Sequence, residues 1–295
     1  MGRTFQNIRL FKGLTVEENV MCAFDPQSRY SIVGGLLPTP KRRDEEKRGR
    51  ELCEKYLTVV GMQDYLHERP ENLSYGMQRR IEIARALMCE PKILLLDEPF
   101  SALDSFLRWE LEQEVMAVTR QFGGTTLLVS HNRDEVYRIA GSIAVYGHGS
   151  VDRVGDKWDL FRDPQTAVTA RLTGCKNIAP ARWEGDRVTV PDWGPPLAAR
   201  HPGREVNCVG LRAHYLRVFA NPAEAAGLPN QILCSVDRVI DSTFSTIVML
   251  RTPGGGLLRY ECEKDVWSRL ACADELTVSV DPSVVMPLAG GGSDA

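Results

Sequence analysis

Two adjacent carboxylates, Asp97 and Glu98, stand at the end of an apolar run in the stretch ILLLDEPFSALD at 93–104. Such a run reads as a parallel strand covered on both faces. In open α/β sheets, residues at the carboxyl end of such a strand face the crevice where ligands bind. Two carboxylates there suit phosphoryl transfer: one can hold Mg²⁺, directly or through water, and the other can take a proton from attacking water. A bare Asp-Glu pair would be better read as a solvated acidic turn, but the PFSALD that follows makes that reading poor. A second stretch, LSYGMQRRIEIARAL at 73–87, places Ser74 and Gly76 just before or within the first turn of a helix. The free N–H groups and positive dipole end of such a turn favour an anion, and a glycine lets the backbone approach a phosphate closely. An ordinary capped helix would account for Ser74 but not for the whole string. In a third stretch, LLVSHNRDEV at 127–136, His131 follows another apolar run and so falls at the same sheet edge as the acid pair.

The elements that must carry these residues are legible from period and punctuation. Residues 15–88 read mainly as helix: Leu52, Tyr56, Val59 and Val60 recur at helical spacing, and Pro38, Pro40 and Gly61 punctuate the segment. Asn72 or Ser74 can cap the next helix, which ends before Pro91. Residues 93–96, 125–130 and 143–146 read as strands, with helices at 105–122 and 135–140 between them. That alternation predicts a parallel α/β sheet. From 180 onward, short alternating segments at 187–190, 206–212, 232–239, 247–251, 257–261 and 276–280 predict a small all-β domain, with a barrel of the OB type as the expected form.

Taken in order, these motifs resemble those of the ATP-binding-cassette (ABC) ATPases. LSYGMQ is similar to the signature loop, ILLLDE to the Walker B strand, SALD to the D-loop and SHNRDE to the switch-histidine region. FQNIRLFKGLTVEENV at 5–20 resembles the Q-loop entering a helical subdomain. The resemblance spans residues 3 to about 172 and departs from the common signature at Tyr75 and Met77. It implies that Asp97 and Gln6 help hold Mg²⁺, that Glu98 polarises the attacking water, and that His131 contacts the γ-phosphate. Ser74, Gly76 and Gln78 of the signature loop, with Asp104 of the D-loop, would serve ATP bound across a dimer of cassettes. ATP and Mg²⁺ are the implied cofactors. A second ATPase subunit and transmembrane permease subunits are the implied partners, with the chain peripheral at the cytoplasmic face of the cell membrane.

No G-x-x-x-x-G-K-[ST] occurs in the sequence. The fold class expected is therefore α/β: an incomplete P-loop NTPase (ABC ATPase) domain at 1–172 with a helical subdomain at about 12–90. A linker at 173–178, an all-β OB-like regulatory domain at 179–288 and a disordered tail at 289–295 follow. In the family the P-loop strand lies between the strands corresponding to 125–130 and 143–146, so the expectation is of two unpaired apolar edges, a first domain that needs a partner to fold well, and no productive MgATP binding by the chain alone. Residues 3–98 look most like branched-chain amino-acid importer ATPases and residues 100–288 most like molybdate importer ATPases, with a seam near 98. A truncated or chimeric gene product is one expectation. A non-catalytic oxyanion sensor is another: Arg212 with His214, or Arg251 with Arg259, could meet an oxyanion, although scattered surface cations are the favoured reading.

Composition sets the outer bounds. The chain has 295 residues, 43% hydrophobic and 25% charged, enough for one large and one small domain. A net charge of −3 gives no general electrostatic reason to bind nucleic acid. No apolar run approaches the roughly 20 residues of a membrane-spanning helix, and the first residues do not resemble a signal peptide. The 8 cysteines are scattered without a C-x-x-C pair, which predicts free buried thiols.

Overall fold

The computed structural model describes residues 1–4, 8–24, 40–101 and 103–290. They divide into two compact units, Met1–Ala140 and Gly141–Ala295. In the first unit a short strand β1 (Gly2–Arg3) is followed by helices α1 (Val16–Met21), α2 (Pro40–Val59) and α3 (Tyr75–Met88). Then come β2 (Ile93–Asp97), α4 (Ser105–Gln121), β3 (Thr125–Val129) and α5 (Arg133–Ile139). The three strands form one parallel sheet in the order β1-β2-β3.

Local signals account for the helix starts. Thr15 and Glu18 make a reciprocal capping box on α1, and Ser74 caps α3 by accepting from the Met77 N–H at 3.4 Å. Asn19, fully buried, fixes the loop before α1: it accepts from the Phe11 N–H at 2.8 Å and donates to the carbonyls of Phe11 and Thr15 at 3.0 and 2.9 Å. The core gathers Val16, Val20, Leu57, Ile81, Leu87, Leu94, Leu96 and Leu111.

The sheet departs from expectation in its burial. The runs at 93–96 and 125–130 were expected to be covered on both faces, yet burial alternates along β2. Leu94 and Leu96 are sealed, while Ile93 is 43% exposed. On β3, Leu127 and Val129 are 53% and 45% exposed. The register explains why they go together: Ile93 lies opposite Thr125, Leu95 opposite Leu127 and Asp97 opposite Val129, so these residues share one face. Among the described residues that face is not covered, and β3 has a partner on one side only.

The second unit begins with β4 (Ser142–Gly147) and β5 (Ser150–Asp156), an antiparallel two-stranded ribbon. The expected third parallel strand at 143–146 is thus corrected. His148 and Gly149 both take left-handed φ values, 52° and 78°, and a two-residue turn of that hand matches the twist of antiparallel strands. Helices α6 (Lys157–Arg162) and α7 (Ala167–Leu172) follow, then β6 (Asn177–Pro180), β7 (Arg182–Glu184), β8 (Arg187–Thr189) and β9 (Leu197–Ala198). The remainder comprises β10 (Cys208–Leu211), β11 (Arg217–Phe219), β12 (Gln231–Asp241), β13 (Ser245–Arg251), β14 (Leu257–Glu263), α8 (Lys264–Leu270), β15 (Glu275–Ser279) and β16 (Met286–Leu288). They build sheets ordered β16-β10-β6, β11-β15-β12-β13-β14 and β7-β8-β9 around Trp193, Val209, Ile232, Val248, Leu250 and Val278.

The β segments expected beyond 180 are present, as an arrangement of three separate sheets. The compact division falls at 140/141, not in the segment at 173–178, and Asn177 and Ile178 of that supposed linker are paired in β6. Of the supposed tail, Ala289 is held by backbone hydrogen bonds with Gln165 and Ala167 at 2.8 and 3.0 Å, and residues 291–295 lie outside the described residues. No helix among the described residues is long and apolar enough to cross a membrane.

Candidate functional site

The carboxyl ends of β2 and β3 finish level, with Asp97 opposite Val129. One residue on, the Glu98 N–H donates to the Val129 carbonyl at 2.9 Å, and Glu98 itself takes φ +45°. A non-glycine residue in that region costs about 1–3 kcal/mol and must be held there by its surroundings. The holders are identifiable. The Glu98 carbonyl accepts from the Ser101 N–H at 3.2 Å and its hydroxyl at 2.8 Å, and Arg79 clamps both flanks. From α3 the Arg79 guanidinium donates to the Asp97 carbonyl at 2.9 Å and the Pro99 carbonyl at 3.1 Å, and it pairs with Glu82 at 2.5 Å, all but sealed from water.

That turn aims the Glu98 carboxylate at the end of β3. Its Oε1 accepts from the backbone N–H of His131 at 2.9 Å and lies 2.6 Å from the ring Nδ1. Hydrogen bonding to Glu98, then its charge, holds the His131 imidazole above its ordinary pKa, although the ring is 83% exposed. The other oxygen, Oε2, accepts no hydrogen bond from the described residues. Asp97 is engaged differently: its Oδ2 lies 3.0 Å from Nη2 of Arg3 on β1.

Asp97 carries the oxygen chemistry that Mg²⁺ selects, and an ion that keeps water and phosphate ligands needs only one or two such carboxylates from a protein. Gln6, the other expected ligand, lies outside the described residues. Among the described residues no three His, Cys, Asp or Glu side chains cluster as a cage.

The structure thus brings Asp97, Glu98 and His131 to one edge of the sheet. The remaining candidates are committed locally. Ser74 caps α3, and Gln78 donates to the Leu73 carbonyl at 2.9 Å, fixing the same turn. Gly76 has open space where a Cβ would stand, so its lack of a side chain answers no contact within this chain. Asp104 caps α4, accepting from the N–H groups of Phe106 and Leu107 at 2.9 and 3.0 Å. Its Oδ1 thus serves the helix start.

The arginines weighed for an oxyanion in the second unit are engaged within the chain. Arg212 is buried and donates to the Thr173 carbonyl at 2.7 Å and the Phe161 carbonyl at 2.5 Å. Arg251 pairs with Asp237, and Arg259 with Glu261 at 3.1 Å. These cations already have protein partners. Sequence reasoning missed Arg79, Glu82 and Arg3. The i,i+3 spacing of Arg79 and Glu82 was a signal, but a charged pair on an amphipathic helix reads as a solvent face until its surroundings are known.

A family model described as "ABC transporter" matches residues 1–101. A sulfate/thiosulfate import ATP-binding protein of Chromobacterium violaceum is 33% identical over 88% of this chain and 67% of its own length. A second sulfate/thiosulfate import ATP-binding protein, from Burkholderia mallei, is 32% identical over 92% of this chain and 73% of its own. The chain belongs to the ABC transporter family. A spermidine/putrescine import ATP-binding protein of Treponema pallidum is 36% identical over 59% of this cassette protein and 42% of its own length. Among solved structures, cbiO1 from Clostridium perfringens, part of the ABC transporter complex cbiONQ, is 26% identical with a TM-score of 0.45 over 54% of this chain and 58% of that one. At that score the family assignment rests on the sequence relatives alone. The family is one of ATP-hydrolysing, transport-coupled ATPases.

Proposed function

We propose that this cassette is the ATP-hydrolysing subunit of a solute importer, working as one half of a cassette dimer on a membrane permease. The observation that carries the reading is the 2.6 Å contact of His131 with Glu98 just beyond the ends of two parallel strands. In this reading Glu98 is the general base. Oε1 is anchored by His131, and Oε2 takes the proton of the attacking water as the water's oxygen bonds to the terminal phosphorus and the bond to the leaving diphosphate breaks. Asp97 is the group that would hold Mg²⁺, which supplies charge compensation to the phosphate oxygens. Its contact with Arg3 is exposed enough to exchange: such pairs contribute about 0–1 kcal/mol. Ser74 and Gly76 head α3 with backbone N–H groups suited to the nucleotide of the opposing subunit.

Residues 1–295 contain no G-x-x-x-x-G-K-[ST], so the phosphate cradle of a working site comes from residues outside this stretch, on a longer form of the chain or on a partner cassette. The relatives are named for sulfate/thiosulfate, spermidine/putrescine and Fe(3+) import, which lends no support to molybdate or branched-chain amino acids. The proposal therefore stops at solute import.

The test is ATP hydrolysis by this chain mixed with a P-loop-bearing cassette. In the mixed dimer Ser74→Arg is expected to reduce turnover severely, because that helix end serves the partner's nucleotide. Glu98→Gln is expected to abolish turnover at this chain's own site in a longer form that supplies the cradle, and to change little where none is supplied. Turnover unaffected by Ser74→Arg, or by Glu98→Gln in the cradle-bearing form, would overturn the arrangement.

A further inference from the structure

The turn that carries His131 is short, and His131 itself is exposed, so something must fix its backbone. Buried beside it is the polar side chain of Glu135, on the first turn of α5, 4% exposed. Its two oxygens face back into the turn. Oε2 accepts from the Ser130 hydroxyl at 2.7 Å, and Oε1 accepts from the Asn132 side-chain amide at 2.9 Å. The Ser130 hydroxyl in turn accepts from the Asn132 N–H at 3.0 Å, and Asn132 caps α5 by accepting from the N–H groups of Asp134 and Glu135. Both residues flanking His131 are therefore tied to one buried carboxylate, while His131 directs its N–H and its ring to Glu98.

The surroundings of Glu135 are unfavourable for a purely stabilising role. Burial raises its pKa, Glu112 and Glu98 add like charge, and the Ser130 hydrogen bond and Arg108 offset this in part. Arg108 on α4 is 3.8 Å from Oε1, beyond a good hydrogen bond, and Arg138 on α5 spends its guanidinium on Glu112 at 2.7 and 2.8 Å. A leucine would cost less at such a position unless the carboxylate's geometry were needed.

We infer that Glu135 is a positioning residue for the proposed hydrolytic site: by holding Ser130 and Asn132 it fixes the His131 N–H and imidazole on Glu98 Oε1, and so sets the direction of the other Glu98 oxygen, Oε2. The inference rests on the reading of Glu98 and His131 as the site, but its test does not use turnover.

The test is a ¹H–¹⁵N NMR titration of the full chain, with the His131 ring assigned by loss of its signal in His131→Gln, together with hydrogen exchange of the His131 amide. In the wild type His131 titrates above the ordinary histidine value and its amide is protected. Glu135→Ala is expected to return the ring to the ordinary value and to speed amide exchange at least 10-fold, as Glu98→Gln does for the ring, with no further change in the double variant. Glu135→Gln, which keeps one acceptor oxygen in place, is expected to recover most of both effects. A Glu135→Ala protein with His131 titrating and exchanging as in the wild type would overturn the inference, whatever its melting temperature. Should Glu135→Ala fail to fold, Ser130→Ala removes one of the two ties at a half-buried site, and an unaltered His131 there would overturn it equally. A mixed dimer with a P-loop-bearing cassette that hydrolyses no ATP, beside an intact His131 response, would instead count against the hydrolytic reading alone.

Discussion

Replacing Arg79 by methionine is the sharpest perturbation of the site's foundation. The Arg79 and Glu82 side chains are each 1% exposed and 2.5 Å apart, and the same guanidinium donates to the carbonyls on either side of Glu98. Methionine preserves much of the volume but removes the cation, so Glu82 keeps a buried charge without its guanidinium partner. Breaking a buried pair from one side costs about 3–5 kcal/mol. The lost donors at the Asp97 and Pro99 carbonyls act in the same direction. Against a typical total of about 5–15 kcal/mol, that is enough to expose the first unit to local unfolding. The assay is urea unfolding followed by hydrogen exchange, read separately for β2 and α3 and for the strands of the second unit, since two compact units need not unfold as one. With a urea slope of about 1–3 kcal/mol per molar, the first unit's midpoint should fall by at least about 1 M, while that of the second stays put. The double variant Arg79→Met with Glu82→Leu should regain part of the loss, because an apolar pair of similar volume often matches a buried ion pair. A single-variant shift worth under about 1 kcal/mol, with an unchanged slope, would refute the claim that this pair holds the Asp97–Pro99 turn.

Further expectations follow from the same coordinates. Asp104→Ala should destabilise the first unit by about 0.5–2 kcal/mol through its lost cap, and Asp104→Asn should be nearly silent in thermal unfolding. Because the His131 pKa is raised in the fold, the stability it contributes is present below its ordinary value and is lost as pH rises through the folded one. Glu98→Gln should flatten that limb of the stability–pH curve. Burial pushes the Cys53 and Cys234 thiols up to about 12 and Cys175 up to about 11. At pH 8 iodoacetamide should therefore leave these three intact until denaturant is added, while exposed Cys22 and Cys272 react, as read by peptide mass.

The sequence by itself determined the elements that carry the acid pair, Ser74 and His131, and their order along the chain. An apolar run ending in Asp97-Glu98, a capped helix opening at Ser74 and a strand followed by His131 are local patterns, because strand period, helix caps and acid pairs are written in near neighbours. It also determined the positions of most β segments past 180, which alternate visibly between turn residues. What only the tertiary structure decided is what those patterns pair with. Register put Asp97 opposite Val129 and so brought Glu98 within reach of His131, 33 residues away in sequence. The left-handed turn at His148–Gly149 sent 142–147 into an antiparallel ribbon, although its apolar character fits a parallel strand equally well. Whether a charge is a solvated face or a buried clamp, as at Arg79, Glu135 and Arg212, depends on the desolvation imposed by elements distant in the chain. That is a property of the assembled core, and residue spacing carries no measure of it.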